Sequence, residues 1–158
     1  MIFTSKKKKT AKVIQRATKD VVSDRNLATI CGNMTSNENA ASYLCTEVML
    51  QRIHALVFVF NRKFHREYDW ATLNFVTTCI EQGIQEGTGN QTLNPIIMKG
   101  LSRLMSMEGS GPERMNKLFN SSAQLVIEQD KQLNQDELIN FIDKDVESFV
   151  MGLDKYFQ

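Results

Sequence analysis

The sequence predicts an all-α fold: a single-domain bundle of six or seven helices with one long central helix. At 158 residues the chain is about one domain long, and a hydrophobic content of 42% is enough for a real core. Its two prolines are Pro95 and Pro112, so long stretches have no obligate break. Apolar residues recur at steps of three and four through these stretches, which favours helices over a turn-dense β-sandwich.

The N-terminal part predicts a basic amphipathic helix over residues 10–22. Its apolar residues fall at helical spacing on one face, whereas Lys12, Arg16 and Lys19 share another. Residues 1–9 contain four consecutive lysines and are predicted to form a flexible basic arm, which leaves residues 10–158 as the helical domain.

A short second helix is expected over residues 27–31. Asp24 or Asn26 is suited to cap its start, and Gly32 is expected to end it. The polar stretch at 33–37 then reads as a connector rich in N-cap residues.

The longest predicted helix covers residues 38–67. Its middle, residues 53–60, is apolar nearly all round, which is typical of the central helix of a bundle. Residues 57–60 taken alone would equally suit a strand. The length of the pattern and its helical flanks favour a helix.

Four more helices complete the predicted bundle, each with a recognisable start. The start signals are Asp69 as an N-cap, Asn94 followed by Pro95, Pro112 in a first helical turn, and Asn134 with Glu137 three residues on as a capping box. Glycine-rich loops at 86–92 and 109–111 are expected to end the helices before them. The last helix carries large apolar residues up to the end of the chain, so we expect it to pack in the core.

The two ends of the chain carry opposite charge, although the formal net charge is only +1. Residues 1–30 contain eight lysines and arginines against two aspartates, whereas residues 121–158 contain eight acidic residues against three lysines. Such asymmetry indicates charged partners, or self-association of the basic end with the acidic end.

The basic end is the strongest candidate site in the sequence. Its cations would hold an anionic partner: nucleic-acid phosphates, an acidic membrane surface or an acidic protein patch. A solvated tail is the alternative interpretation. The candidate residues are Lys6, Lys7, Lys8, Lys9, Lys12, Arg16 and Lys19.

Residues 27–32 partly fit the first half of a helix-turn-helix. Ala28 and Gly32 have the separation of its small residue and its turn glycine. Asn33 and Glu38, however, stand where the motif needs apolar residues, and Asn37 is as suited to capping a helix as to contacting a base. The pattern therefore argues against this motif.

No motif for catalysis, a metal or a cofactor is found, so we expect no enzymatic activity, no metal site and no cofactor. His54 and His65 are the two histidines, and ~16 Å along a continuous helix would separate them, too far to share a metal. His54 has apolar neighbours one turn to either side and is predicted to be a core or boundary histidine. Residues 132–138 fit a capped helix better than a calcium loop, whose register would put Lys131 at the glycine position.

The chain is expected to be cytoplasmic and without a transmembrane segment. Its longest apolar run, residues 55–60, is far short of the ~20 residues that cross a bilayer. The lysines follow the first apolar residues, which reverses the order of a secretory signal. Three widely spaced cysteines (Cys31, Cys45 and Cys79) fit reduced thiols packed in a core.

These observations favour a non-enzymatic binding protein (an adaptor, an inhibitor or an accessory subunit) that acts through protein–protein interaction. The candidate interface residues are Trp70, Met105, Met107 and Met115, because methionines make adaptable binding surfaces; core packing is their alternative role. A second hypothesis is a nucleic-acid-binding regulator or packaging protein that uses the basic end. A third is a helical small-ligand sensor with a pocket near residues 53–60.

Overall fold

A computed structural model of the protein describes the backbone of residues 5–64, 70–89 and 93–157, and the side chains within 8–60, 74–89 and 94–156. Within these ranges the chain forms seven α-helices and a C-terminal 3₁₀ helix, with no strand. The helices are α1 (Ser5–Val22), α2 (Arg25–Met34), α3 (Glu38–Phe64), α4 (Trp70–Thr88), α5 (Leu93–Met105), α6 (Gly111–Gln129) and α7 (Gln135–Met151), followed by the 3₁₀ helix Gly152–Phe157. The predicted all-α single-domain bundle is confirmed.

The long helix α3 runs through the middle of the bundle and organises its core. Buried side chains from its N-terminal half, Leu44 among them, pack with α2, α6 and α7. Those from its C-terminal half, such as Ile53 and Phe60, pack with α1, α4 and α5. Two apolar clusters therefore share one helix, and residues 53–60 contribute four buried side chains to the cluster shared with α1, α4 and α5, although Phe58 is exposed.

Three helix starts follow the side-chain caps that the sequence suggested. Asp24 accepts a hydrogen bond from the backbone N–H of Asn26 at 3.0 Å, and Asn134 accepts one from that of Glu137 at 3.1 Å. Asn37 caps α3 through the backbone N–H of Ala40, again at 3.1 Å. Each bond satisfies one of the donors that a helix N-terminus leaves without a partner.

Several boundaries differ from the sequence-based prediction. Helix α1 begins at Ser5, so residues 5–9 are helical in backbone rather than part of an irregular arm. Helix α2 continues through Gly32 to Met34. Helix α5 ends at Met105, before the glycines that were expected to stop it. The predicted cap Asp69 lies outside the described residues.

Close packing of α1 on α4 depends on two glycines. A methyl group at Gly83 would lie 2.6 Å from the backbone oxygen of Gln15, and one at Gly87 would overlap the side chain of Val22. These glycines are four residues apart and lie on one face of α4. Gly87 therefore belongs to a helix contact rather than to the loop predicted at 86–92.

One segment among the described residues, Glu38–Phe60, is long and apolar enough to cross a membrane by length and composition alone. It is the central helix of this bundle, and more than half of its most apolar window is buried by the other helices. Its polar residues Gln51 and His54 are buried in the same packing.

Candidate functional site: a basic face on helix α1

Helix α1 divides cleanly into a buried apolar face and an exposed basic face. Ile14, Ala17 and Val21 are at most 3% exposed and pack in the core. On the opposite side five cations are exposed to solvent, namely Lys8, Lys9, Lys12, Arg16 and Lys19. At 3.6 residues per turn they lie within an arc of roughly 100° and along about 16 Å of the helix. We call these five residues the basic stripe.

The basic stripe contains five of the seven residues that the sequence nominated for an anionic partner. The other two, Lys6 and Lys7, lie in the backbone of α1, but their side chains are outside the described ranges. Within those ranges, none of the five stripe residues forms an ion pair with an acidic side chain.

The C-terminal 3₁₀ helix packs against α1 beside the stripe. The hydroxyl of Tyr156 donates a 2.6 Å hydrogen bond to the Asp20 carboxylate, and the Arg16 guanidinium lies 5.7 Å from the Tyr156 ring centroid. Burial, and then the bond to Asp20, raise the pKa of Tyr156, so the ring remains a neutral donor. The hydrogen bond from Tyr156 therefore engages Asp20, the acidic residue that follows Lys19 in α1.

Lys155 brings a further cation to this surface. It is exposed, and its Nζ lies 5.0 Å from the same Tyr156 ring centroid. Arg16 and Lys155 thus stand around one aromatic ring although 139 positions separate them in the sequence. No local pattern links the two ends of the chain in this way, so the sequence could not nominate Lys155.

The acidic C-terminal helix does not pair with the basic stripe in the described structure. Helix α7 packs on α3 and α6, whereas α1 packs on α4, α3 and the 3₁₀ helix. The acidic side chains Asp136, Glu137, Asp143 and Glu147 are exposed on α7. The basic and acidic surfaces therefore both remain open to partners.

The sequence predicts a solvated acidic face formed by Asp143, Asp145 and Glu147, and Asp145 corrects that prediction. Its side chain is only 13% exposed and accepts two hydrogen bonds from Arg52, at 2.8 Å from Nε and 2.6 Å from Nη2. Nη1 of the same guanidinium bonds Asp24, the cap of α2, at 2.9 Å. Burial lowers the pKa of Arg52, but the bonds to these two carboxylates outweigh that and raise it.

A second cluster of polar side chains lies between α3, α5 and α6. Glu47 accepts hydrogen bonds from Arg103 and from the Ser122 hydroxyl, the latter at 2.7 Å. Gln51, one turn further along α3, donates to the same hydroxyl and to the backbone oxygen of Leu118. These side chains satisfy one another, as buried polar groups must, and so hold three helices in register.

His54 is a core histidine, as the sequence predicted. It is 8% exposed, and Nη2 of Arg114 lies 3.0 Å from its Nε2. Burial and the charge of Arg114 lower the pKa of His54 to about 4. His65 lies outside the described residues. Within the described ranges, no group of three or more His, Cys, Asp or Glu side chains is arranged to hold a metal.

The helix that follows α2 excludes a helix-turn-helix at residues 27–32. In that motif the second helix enters the major groove and must be exposed, whereas α3 is the central buried helix. Asn37 caps α3 and also donates to the backbone oxygen of Gln129 at 3.1 Å, so its side chain is already engaged.

The described residues of the candidate protein interface differ in their exposure. Met105 and Met107 are partly buried and pack against the core, in the alternative role that the sequence allowed, whereas Met115 is 40% exposed on α6. Trp70 begins α4, but its side chain is outside the described ranges. A protein interface built on these residues stays a prediction.

No family model, no curated protein and no solved structure matches this chain.

Proposed function

We propose that this protein is a non-enzymatic binding protein that holds an anionic macromolecule on the basic stripe of α1. One observation carries the proposal: five exposed cations occupy one face of a helix, without an ion pair to any described acidic side chain. Neighbouring cations repel one another, and an anionic partner relieves that repulsion while it gains Coulomb energy. The charge itself is therefore the feature that a partner would recognise.

The way α1 is held adds support to this proposal. Its apolar face is buried against α4 and α3, and Tyr156 ties its C-terminal part to the end of the chain. A rigid helix presents its charges without the ordering cost that a flexible arm pays on binding. Two buried polar groups that could otherwise take part in chemistry are, by contrast, engaged within the fold. His54 contacts Arg114, and Glu47 accepts hydrogen bonds from Arg103 and Ser122.

Retention on immobilised heparin, a general polyanion, tests the proposal. The variant K8Q/K12Q/K19Q removes three of the five charges, spread along the length of the stripe. Its matched control is K99Q/K131Q/K144Q, which removes three exposed lysines on α5, the α6–α7 connection and α7. Both variants have the same net charge, so a difference between them reports the position of the charge.

We expect the natural protein and the control to remain bound at ~0.15 M NaCl and to elute together at higher salt. The stripe variant should elute at clearly lower salt. Co-elution of the two variants, or no retention of the natural protein at ~0.15 M NaCl, would overturn the proposal. The other hypotheses, a protein interface around Met115 and a small-ligand sensor, stay predictions, and no contact described above favours either.

A further inference from the structure

We infer that the anionic macromolecule is a nucleic-acid duplex, held by its phosphate backbone along the basic stripe. The inference rests on the proposed function and goes further by naming the partner class. Three features carry it: the stripe has no apolar side chain, no open aromatic ring lies beside it among the described side chains, and its row of charges is long enough to contact several phosphates.

The stripe offers no apolar anchor to a protein partner. The apolar side chains of α1 are turned to the other side, where Ile14 and Ala17 are fully buried and Val13 and Val22 pack partly buried against the core. Protein interfaces generally have an apolar centre that a polar rim surrounds. Interfaces with nucleic acids are more polar and much more positively charged. The composition of the stripe thus favours a phosphate backbone over an acidic protein.

Among the described side chains, the surface around the stripe also offers no stacking platform for single-stranded nucleic acid. Proteins that bind single strands combine a basic groove with aromatic rings on which bases stack. Here the aromatic ring that touches the stripe, Tyr156, is 6% exposed, and its hydroxyl is bonded to Asp20. The surface is the outer face of a helix rather than a groove. A duplex, which presents phosphates and not base faces, fits this surface better.

The length of the row of charges suits contact with several phosphates. Lys8, Lys12, Arg16 and Lys19 follow one another at intervals of three or four residues, which is about 5–6 Å along the helix axis. The whole row is about 16 Å long, and one strand of a duplex carries one phosphate per ~3.4 Å of its axis. The stripe therefore spans about five phosphates, and Lys155 widens it beside Arg16.

Fluorescence anisotropy tests this inference with three labelled probes: a ~20-base-pair DNA duplex that spans more than the ~16 Å stripe, one of its strands alone, and poly-L-glutamate. Each is titrated with protein from ~0.05 to ~0.3 M NaCl, a range over which phosphate contacts weaken strongly. For about five contacts, the logarithm of the duplex affinity should fall with the logarithm of salt at a slope of about −4.5. K8Q/K12Q/K19Q should reduce that slope by almost 3 and weaken binding at least about tenfold, whereas K99Q/K131Q/K144Q should leave both unchanged.

The three probes separate failure of the inference from failure of the proposed function. Equal or tighter binding of the single strand or of poly-L-glutamate would overturn the duplex inference, and so would equal duplex affinity of the two variants. If heparin retention still depends on the stripe in that case, the proposed function stands. A loss of stripe-dependent heparin retention removes both the duplex inference and the proposed function.

Two duplexes of unrelated sequence should bind within a few-fold of each other, since backbone contacts carry no sequence information. A large preference for one of them would contradict a backbone-only contact.

Circular dichroism of each variant checks that the helices remain folded. If K8Q/K12Q/K19Q does not fold, K9Q/K12Q removes two stripe charges and makes the same prediction with a smaller change in slope, near 2.

Discussion

Nη2 of Arg114 lies 3.0 Å from Nε2 of His54, in the core between α3 and α6. A guanidinium has donors and no acceptor, so the histidine nitrogen must accept this bond. His54 is therefore neutral, with its proton on Nδ1. Arg114 also donates to the backbone oxygens of Leu104 and Met107, and thus joins the end of α5 to the start of α6.

This pairing predicts that acid destabilises the protein through His54. The pKa of its imidazole is about 4 in the folded chain, against 6.5 for an ordinary histidine. Between these values the unfolded state binds a proton that the folded state does not, so stability is complete above pH 6.5 and falls as the pH decreases towards 4. The total loss should be about 3 kcal/mol, at up to about 1.4 kcal/mol per pH unit.

Urea unfolding of the natural protein and of H54Q, at several pH values across this window, measures the effect. Glutamine offers an acceptor to Arg114 but does not titrate. The carboxylates titrate in both proteins, so the difference between the two curves isolates His54. Parallel curves would show that the pKa of His54 is the same in the folded and the unfolded protein, and would contradict the prediction.

Arg52 should be one of the most sensitive polar positions in the chain. R52M keeps much of the apolar stem of the side chain but leaves the partly buried carboxylates of Asp24 and Asp145 without their cation. Removing one partner of a buried ion pair is strongly destabilising, and we expect a loss of about 3 kcal/mol in the free energy of unfolding. Chemical denaturation measures it. R25M, at an exposed position on α2, is the control and should change stability little; equal stability of the two variants would contradict the role of Arg52.

Glycine-to-alanine substitutions should have opposite effects at two helical positions. G83A forces a methyl group to 2.6 Å from the backbone oxygen of Gln15, so α1 and α4 must move apart at a cost of about 1–3 kcal/mol. G32A meets nothing within 4 Å and should stabilise α2 by about 0.4–1 kcal/mol, because alanine restricts the unfolded chain. Thermal melts of both variants distinguish a packing requirement from a general preference for alanine in helices. A stabilised G83A would contradict the close contact.

Cys45 should be the most reactive of the three free cysteines, Cys31, Cys45 and Cys79. The neighbouring side chain of Cys31 and the charge of Arg52 lower the pKa of Cys45, against the opposing effect of burial. Cys31 and Cys79 are buried in the core. Alkylation by iodoacetamide, followed by mass spectrometry, should therefore label Cys45 first, with a pH midpoint below that of an ordinary cysteine thiol.

The C31A variant removes the neighbouring thiol and should move this midpoint upwards, whereas C79A should leave it unchanged. Preferential labelling of Cys31 in the natural protein would show that the thiolate of the pair lies on the other residue.

The sequence identified helix starts well where the signal is local. Asn37 and Asn134 were recognisable as caps because a capping side chain bonds a backbone N–H only three residues ahead. The prediction that Gly32 ends α2 was wrong because it also relied on a local signal. A glycine ends many helices, but here the contacts of Leu27 and Cys31 with the second apolar cluster hold the helix on both sides of it, and packing overrides propensity.

The candidate site was predicted in part. Lys12, Arg16 and Lys19 share a face by helical periodicity alone, so their alignment did not require a structure. The exposure of these side chains could not be predicted, because the acidic C-terminal end of the chain could equally have paired with them. The fold places α7 against α3 and α6 instead. Met105 and Met107 were candidates for an interface, but their side chains pack against the core instead.

The sequence by itself thus determined the helices, the apolar face of each, and the basic character of α1. The tertiary structure decided which polar groups meet. Tyr156 bonds Asp20 across 136 positions, and Arg52 bonds Asp145 across 93. Helical periodicity and capping act over a few residues, so they place a side chain on a face but do not say which distant face lies opposite. That choice depends on how all seven helices bury their apolar surface together, and it leaves the basic stripe exposed.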